Sequence, residues 1–199
     1  MITALHGFLG LPSDWDFLGS VLTPPLDAIP RDGDVLLGYS MGGRLALQAL
    51  LNGARYRKAI LVSTRVSEPE PDRRARDEAW ARRFESDDWE ALMRDWNAQP
   101  IFGGHAIPRR EEDFDRPELA RQLREWSPAV LPSIAPRLRE IDIPTVWIAG
   151  ARDAKYVDEA KRGAELTGGE LIVVEGAAHR VPWDASDIFR RHVDHHQRI

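Results

Sequence analysis

The chain has 199 residues, of which 43% are hydrophobic and 30% charged, and its formal net charge is −5. This length and composition suit one globular domain and argue against a disordered chain. The sequence contains no cysteine, which excludes disulfides, thiolate metal ligands and a cysteine nucleophile, and its acidic balance gives no sign of nucleic-acid binding.

The first predicted element is a short apolar strand over residues 2–5, which ends in the turn HGFLG at residues 6–10. The start lacks the basic residues of a signal peptide, and no apolar run approaches the roughly 18 residues of a membrane span. We therefore expect a cytoplasmic protein without a membrane span. Residues 22–34 are rich in Pro, Asp and Gly, and they predict a loop with at most one short strand.

The most informative run is GYSMGGR at residues 38–44. It follows a buried strand predicted over residues 34–37 and precedes a helical pattern over residues 44–51. Strand, G-x-S-x-G turn and helix form the context of a nucleophile elbow, which exposes a serine hydroxyl at a helix N-terminus. Ser40 is thus the predicted nucleophile or base, and the alternative is that Ser40 only caps the helix.

Beyond a further buried strand over residues 58–63, the chain becomes charged and helical. Large apolar side chains recur there at helical spacing, a stripe that we interpret as mainly a packing face: Trp80, Phe84, Trp89, Leu92, Met93 and Trp96. Buried strands return at residues 144–150 and 170–174. The alternation of strands and helices predicts an α/β fold with a mostly parallel sheet, formed by residues 1–66 and 141–199, with residues 67–140 inserted as a helical cap.

Two polar residues complete the predicted chemistry. Asp153 follows the strand at residues 144–150, and His179 follows the strand at residues 170–174. A serine hydroxyl needs an imidazole to take its proton and a carboxylate to orient the imidazole, and the order Ser, Asp, His is that of α/β-hydrolases. We expect Ser40, Asp153 and His179 to converge at the carboxyl edge of the sheet.

Simpler interpretations of these two residues stay open. Asp153 has the position of a helix N-cap, in which case Asp158 is a weaker candidate for the acid, and His179 has the position of a surface loop histidine.

The backbone N–H groups of Phe8 and Met41 are the predicted oxyanion-hole donors. We interpret His6 as a structural residue, because the chemistry needs a single histidine. The histidines near the C-terminus, His192, His195 and His196, are predicted to be solvated and lack acidic or cysteine partners at ligand spacing. We expect neither a metal nor an organic cofactor.

Several motifs together resemble the 2-succinyl-6-hydroxy-2,4-cyclohexadiene-1-carboxylate synthase family of the menaquinone pathway. They are GYSMGGR, HGFLG and the pair Asp14-Trp15, together with WARRF at residues 80–84, DWNAQPIF at 95–102 and GARDAKY at 150–156. The last three are similar to the family motifs W-x-x-R-F, D-W-Y-x-Q-P-x-F and G-x-x-D-x-K-[FY]. The similarity covers most of residues 1–20 and 34–190.

The resemblance implies an α/β-hydrolase-fold lyase that eliminates pyruvate from 2-succinyl-5-enolpyruvyl-6-hydroxy-3-cyclohexene-1-carboxylate through a Ser-His-Asp triad. It also implies the residues that bind this polycarboxylate substrate: Tyr39, Arg44, Arg73, Trp96 and Arg124. Arginine suits carboxylates because its planar fork can donate to both oxygens. Arg74 and Arg76 compete with Arg73 for its role, and a surface salt bridge is the alternative for each arginine.

The chain departs from the family pattern between residues 7 and 38. The family normally has a further strand, a loop and a helix there, so we expect a smaller sheet with an exposed edge, in a monomer or a homodimer. Two other functions remain as alternatives. One is a small serine hydrolase, a carboxylesterase or C–C bond hydrolase with the same triad, and the other is a non-catalytic binding protein with a vestigial site.

Overall fold

The computed structural model describes residues 1–197. Its contacts divide the chain into two units. The sheet unit comprises Met1–Val66 together with the chain from Ile134 onward, and the helical unit comprises Ser67–Ser133. A 3₁₀ helix, Ala135–Glu140, lies in the sheet unit and buries Leu138 completely.

The sheet unit is built on a parallel sheet. Its strands are β1 (Ile2–Leu5), β2 (Val21–Leu22), β3 (Asp32–Tyr39), β4 (Arg55–Val62), β5 (Thr145–Gly150) and β6 (Glu170–Val174). They lie in the order β2-β1-β3-β4-β5-β6, and every neighbouring pair is parallel. Sheets of this kind are covered on both faces, which explains why their strands are continuous apolar runs. The predicted α/β class is confirmed.

The helices follow the strands in the expected alternation. In chain order they are α1 (Met41–Leu51), α2 (Arg73–Ser86), α3 (Trp89–Asn97), α4 (Arg116–Glu125), α5 (Ala154–Thr167), α6 (Val181–Asp184) and α7 (Ser186–His196). On one face of the sheet, the buried side chains of Phe189 and Val193 from α7 join a core that includes Trp15, Ile60 and Ile148. On the other face, the Trp147 ring packs against α5 so closely that a side chain on Gly163 would overlap it.

The sheet is short at its β2 edge. Strand β2 has only two residues, and Leu22 is 40% exposed there. Residues 23–31, all of them described by the structure, contain no helix. The loop prediction for residues 22–34 is too long, because β3 begins at Asp32, where it pairs with Arg55 of β4. The connection from β2 to β3 is therefore a bare loop.

The helical unit is organised around aromatic rings. The Trp80 and Trp96 rings meet edge to face with centroids 4.9 Å apart, and Phe84 packs edge to face on Trp96 at 5.6 Å and on Trp89 at 6.3 Å. Such pairs stabilise a fold beyond the area that they bury. The apolar stripe predicted from the sequence is thus a packing face, and Trp96 belongs to it.

Candidate active site

Ser40 lies at a sharp turn between β3 and α1. Its φ of 53° and ψ of −113° are unusual for a residue with a side chain. Glycine on both sides makes the turn possible, since a Cβ on Gly42 would lie 2.4 Å from the His6 carbonyl oxygen and one on Gly38 would lie 2.5 Å from the Gly43 Cα. The Ser40 side chain makes no capping hydrogen bond to α1. The strained geometry is that of a nucleophile elbow.

Three polar side chains meet at the carboxyl edge of the sheet. The Ser40 hydroxyl oxygen lies 2.9 Å from Nε2 of His179, and Nδ1 of His179 lies 2.9 Å from Oδ2 of Asp153. The tautomer that satisfies both contacts carries its proton on Nδ1, so that the imidazole donates to Asp153 and accepts from Ser40. His179 and Asp153 are both buried, with exposed fractions of 3% and 7%. This arrangement lets the imidazole take the serine proton while the carboxylate orients it.

Asp153 uses its two oxygens for two tasks. While Oδ2 accepts from His179, Oδ1 accepts the backbone N–H of Tyr156 at 3.3 Å and caps α5. Capping α5 and contacting His179 are therefore compatible for this residue, and its catalytic role stays a prediction. Asp158, the weaker candidate for the acid, is exposed on α5.

The imidazole of His179 is held by residues for which the sequence predicted no contact with it. The Tyr156 ring packs edge to face on it at 4.3 Å, and the Tyr39 ring lies at 5.7 Å. The Ser63 hydroxyl donates to the main-chain oxygen of His179 at 2.9 Å. In the sequence, Tyr156 ends the GARDAKY motif and Ser63 is the last residue of the buried strand predicted over residues 58–63. Neither position by itself indicates a contact with His179.

The predicted oxyanion donors belong to two segments that lie close together. Met41 is the first residue of α1, where backbone N–H groups point out of the helix end. Phe8 follows Gly7, whose Cβ, if it had one, would lie 3.3 Å from Cβ of Ser40. The turn after β1 therefore lies against the elbow. The donor role of Phe8 and Met41 stays a prediction.

Two predicted substrate-binding residues lie beside Ser40 in the sheet unit. Arg44 is in the first turns of α1 and is only 4% exposed. Tyr39 is 6% exposed, and burial raises the pKa of its hydroxyl above the ordinary range. Tyr39 is therefore neutral and its ring, as described above, flanks the imidazole. Whether either residue binds substrate stays a prediction.

The predicted binding arginines of the helical unit already have carboxylate partners. Arg73 bonds to Asp77 at 2.7 Å, and Arg124 bonds to Glu78 at 2.8 Å and to Glu85 at 2.5 Å. The salt-bridge alternative is thus what the structure contains, and a substrate carboxylate would have to replace or extend these pairs. A cavity of about 340 Å³ lies beside them within the helical unit, lined by Arg74, Asp77, Glu78, Leu123, Arg124 and Ser127.

The histidines near the C-terminus differ from the expectation in one respect. His196 is buried rather than solvated, and burial lowers the pKa of its imidazole. Its main-chain oxygen accepts from Nζ of Lys58 at 2.7 Å, which ties the end of α7 to β4. Among residues 1–197, no group of three or more His, Cys, Asp or Glu side chains is arranged to hold a metal ion. Within the same residues, no helix is both long and apolar enough to cross a membrane.

Comparison with known proteins gives consistent matches. The model of the alpha/beta hydrolase family matches residues 4–191. A Klebsiella pneumoniae 2-succinyl-6-hydroxy-2,4-cyclohexadiene-1-carboxylate synthase is 28% identical over 75% of this chain and 62% of its own length. A Haemophilus influenzae protein provisionally given the same name is 24% identical over 97% of this chain and 95% of its own length. The solved structure of MenH from S. aureus superimposes with a TM-score of 0.86 at 25% identity, over 98% of this chain and 91% of that one.

The lengths in these comparisons differ. The chain spans about three fifths, 62%, of the K. pneumoniae relative. The alignment with the H. influenzae protein runs over 239 positions and therefore leaves gaps in this chain of 199 residues.

Proposed function

The chain belongs to the alpha/beta hydrolase family, and from that premise we propose that it is a carbon–oxygen lyase of menaquinone biosynthesis. Its proposed reaction is the elimination of pyruvate from 2-succinyl-5-enolpyruvyl-6-hydroxy-3-cyclohexene-1-carboxylate. The observation that carries the proposal is the contact of Ser40, His179 and Asp153 in a fold that superimposes on MenH. The names of the relatives from K. pneumoniae and H. influenzae support the same reaction.

The proposed mechanism uses the serine as a base. The Ser40 oxygen removes a proton from a ring carbon of the substrate while its own proton passes to Nε2 of His179. The ring C–H and C–O bonds break, a ring double bond forms, and the enolpyruvate that leaves becomes pyruvate. The imidazolium of His179 gives its proton to the departing enolate, which becomes pyruvate, while Ser40 keeps the proton from the ring carbon. The enzyme thus returns to its starting state without consuming water or forming an acyl-enzyme. Asp153 favours the imidazolium that exists in between.

Charge on the substrate is the second part of the proposal. The N–H groups of Phe8 and Met41 stabilise negative charge that develops on the substrate as the proton leaves. The substrate carboxylates are bound by Arg44, Arg73 and Arg124, and the pocket is lined by Tyr39 and Trp96. These assignments rest on the motifs that the chain shares with the synthases. The helical unit acts as the cap. The expected cytoplasmic location is part of the same proposal, and cell fractionation tests it.

The deciding experiment offers purified protein the pathway intermediate and follows pyruvate release, with a panel of p-nitrophenyl esters assayed in parallel. We expect pyruvate release and negligible ester cleavage. Ser40→Ala, which removes one hydroxyl from a well-packed elbow, is the control for contaminating activity. Ester cleavage without pyruvate release would establish the serine hydrolase instead, and inactivity towards both would favour a binding protein.

A second experiment tests the recognition of carboxylates. Arg44→Met keeps the volume of the side chain and removes its charge, and we expect kcat/KM for the polycarboxylate to fall about 10- to 100-fold, as for charge-assisted hydrogen bonds. Hydrolysis of any neutral ester should change little. Arg82→Met is the matched control, because Arg82 is 74% exposed and bonds to Glu78 on its own helix. Equal losses on charged and neutral substrates would contradict the role of Arg44.

A further inference from the structure

Ser63 lies at the end of β4, beneath the imidazole of His179. The carboxyl end of β4 lies between those of β3 and β5. Ser40 follows β3 and Asp153 follows β5, so an imidazole that contacts both lies over the end of β4. Ser63 is the first residue after β4, and its hydroxyl donates to the main-chain oxygen of His179 at 2.9 Å.

The backbone of Ser63 is fixed on its other side as well. Its N–H donates to the Ile148 oxygen of β5 at 2.8 Å, and the preceding residue, Val62, accepts the N–H of Ser40 at 2.8 Å. The side chain of Ser63 is completely buried. Ser63 therefore connects the end of β4 with β5, which precedes Asp153, and with the loop that carries His179.

The conformation of Ser63 is strained. Its φ is 46°, in the left-handed region where a residue with a Cβ is uncommon. Glycine would adopt this conformation without a steric cost but would lack the hydroxyl. Strained residues persist where the surroundings impose the conformation, and they cluster at functional sites. The contact that serine provides here, and glycine would not, is the hydrogen bond to His179.

We propose that Ser63 is a positioning residue for His179, whose hydroxyl holds the main chain of that histidine where the imidazole reaches both Ser40 and Asp153. The inference rests on the proposed use of the triad. Ser63 touches no reacting atom, since its hydrogen bond goes to the backbone of His179. Its effect is on the distance between Nε2 and the serine oxygen, which governs how readily Ser40 loses its proton.

The test measures how fast a fluorophosphonate labels Ser40, a reaction that depends on the triad and not on the identity of the substrate. Two variants remove the hydroxyl, Ser63→Gly and Ser63→Ala. The first relieves the backbone strain and the second retains it, so they should differ in thermal stability. We expect both to be labelled about tenfold more slowly than the wild type, as for the loss of one neutral hydrogen bond. In an assay of pyruvate release, kcat should fall by a similar factor while KM changes little.

Thr145→Val is the matched control. Thr145 is also buried, and its hydroxyl bonds to Thr167 and Trp147 at the opposite end of β5. The control loses a buried hydroxyl and should be labelled at the wild-type rate.

Three results would overturn the proposal. Labelling of both Ser63 variants within about twofold of the wild type would show that the hydroxyl has no positioning role. Rates that follow thermal stability, so that Ser63→Ala and Thr145→Val are slow while Ser63→Gly is not, would show a merely structural role. A wild type that is not labelled at Ser40 would overturn the triad itself, and with it both this inference and the proposed function.

Discussion

Different kinds of contact stabilise the inside of each of the two units. In the sheet unit, close backbone packing and short polar side chains fix the site. Glycine allows α1 to approach β1, the Ser63 hydroxyl donates to the main chain of His179, and the Asp153 carboxylate accepts the N–H of Tyr156. In the helical unit, long charged side chains do much of this work. Arg124 bridges Glu78 and Glu85 across helices, and Arg116 donates to main-chain oxygens at the end of α2.

The difference suits the proposed division of labour. Proton transfer needs atoms placed within tenths of an ångström, which a closely packed backbone provides. Exposed guanidinium–carboxylate pairs contribute little stability each, and they exchange one carboxylate for another at small cost. We therefore expect the sheet unit to respond to small steric changes and the helical unit to respond to pH and salt.

The largest expected effect comes from replacing one carboxylate oxygen at the N-cap of α5, and the same change at an N-cap of the helical unit is its control. Asp153→Asn retains a capping residue for α5 but favours the wrong imidazole tautomer, so we expect activity to fall about 10⁴-fold with little loss of stability. Asp88→Asn makes the same change at the N-cap of α3, where the side chain accepts from the Ala91 N–H. We expect that variant to keep both activity and stability. Steady-state kinetics measure the activity of both variants and thermal unfolding measures their stability. Equal activities of the two variants would contradict the catalytic role of Asp153.

A smaller effect is expected from a methyl group at the elbow. In Gly42→Ala the new Cβ would lie 2.4 Å from the His6 oxygen and 2.5 Å from the Leu5 oxygen, both of them backbone atoms. Since backbone cannot yield as a flexible side chain does, we expect a loss of about 2 kcal/mol of unfolding free energy, together with slower labelling of Ser40.

Gly104→Ala in the helical unit sharpens this test. Nothing lies within 4 Å of its added Cβ, and its φ is +86°. We expect a loss of about 1 kcal/mol from the backbone conformation alone. Labelling of Ser40 should stay at the wild-type rate. Urea unfolding checks both variants, and a Gly42→Ala protein as stable as the wild type would contradict the packing of the elbow.

The smallest expected effect is the acid sensitivity of the helical unit. Hydrogen bonds from Arg124 and Arg82 lower the pKa of Glu78 to about 2. The folded state thus favours the carboxylate, and this stabilisation is present above the ordinary pKa and is lost as pH falls from about 4.5 towards 2. Because the pair is exposed, the contribution is modest and salt should weaken it.

Hydrogen–deuterium exchange measures this change by region. After correction for intrinsic rates, exchange in α2 and α4 should rise between pH 6 and pH 3, and Glu78→Gln should reduce the rise. Glu140→Gln is the control, because Glu140 pairs with Arg137 in the sheet unit. A pH response of α2 and α4 that is unaffected by Glu78→Gln would assign the acid sensitivity to other groups.

The sequence predicts the sheet unit better than the helical unit for a physical reason. Ser40, Asp153 and His179 each follow a buried strand, and a parallel sheet brings the ends of its strands to one edge, so local pattern was sufficient. The partners of Arg124 are different. Glu78 and Glu85 lie on another helix, and spacing along the chain does not show which of many acidic residues a helix will face.

Two further details could not be predicted from the local sequence pattern. The hydrogen bond from Ser63 to His179 depends on a backbone conformation that the sequence does not reveal, and the burial of His196 depends on how the last turn of α7 packs. The short edge of the sheet was different, because residues 7–38 depart from the pattern of the family that the chain resembles, which has a further strand, a loop and a helix there.

The place of the helical unit in the chain has a consequence for folding kinetics. Strands β4 and β5 are neighbours, with Ala59 paired to Thr145, although the whole helical unit separates them along the chain. Closing so long a loop before any contact rewards it slows folding. The Ser133 hydroxyl bonds to Glu68, which joins the two ends of the inserted segment. A helical unit that formed early would therefore shorten the loop between β4 and β5 to the flanking residues 63–67 and 134–144, and the two strands would pair sooner.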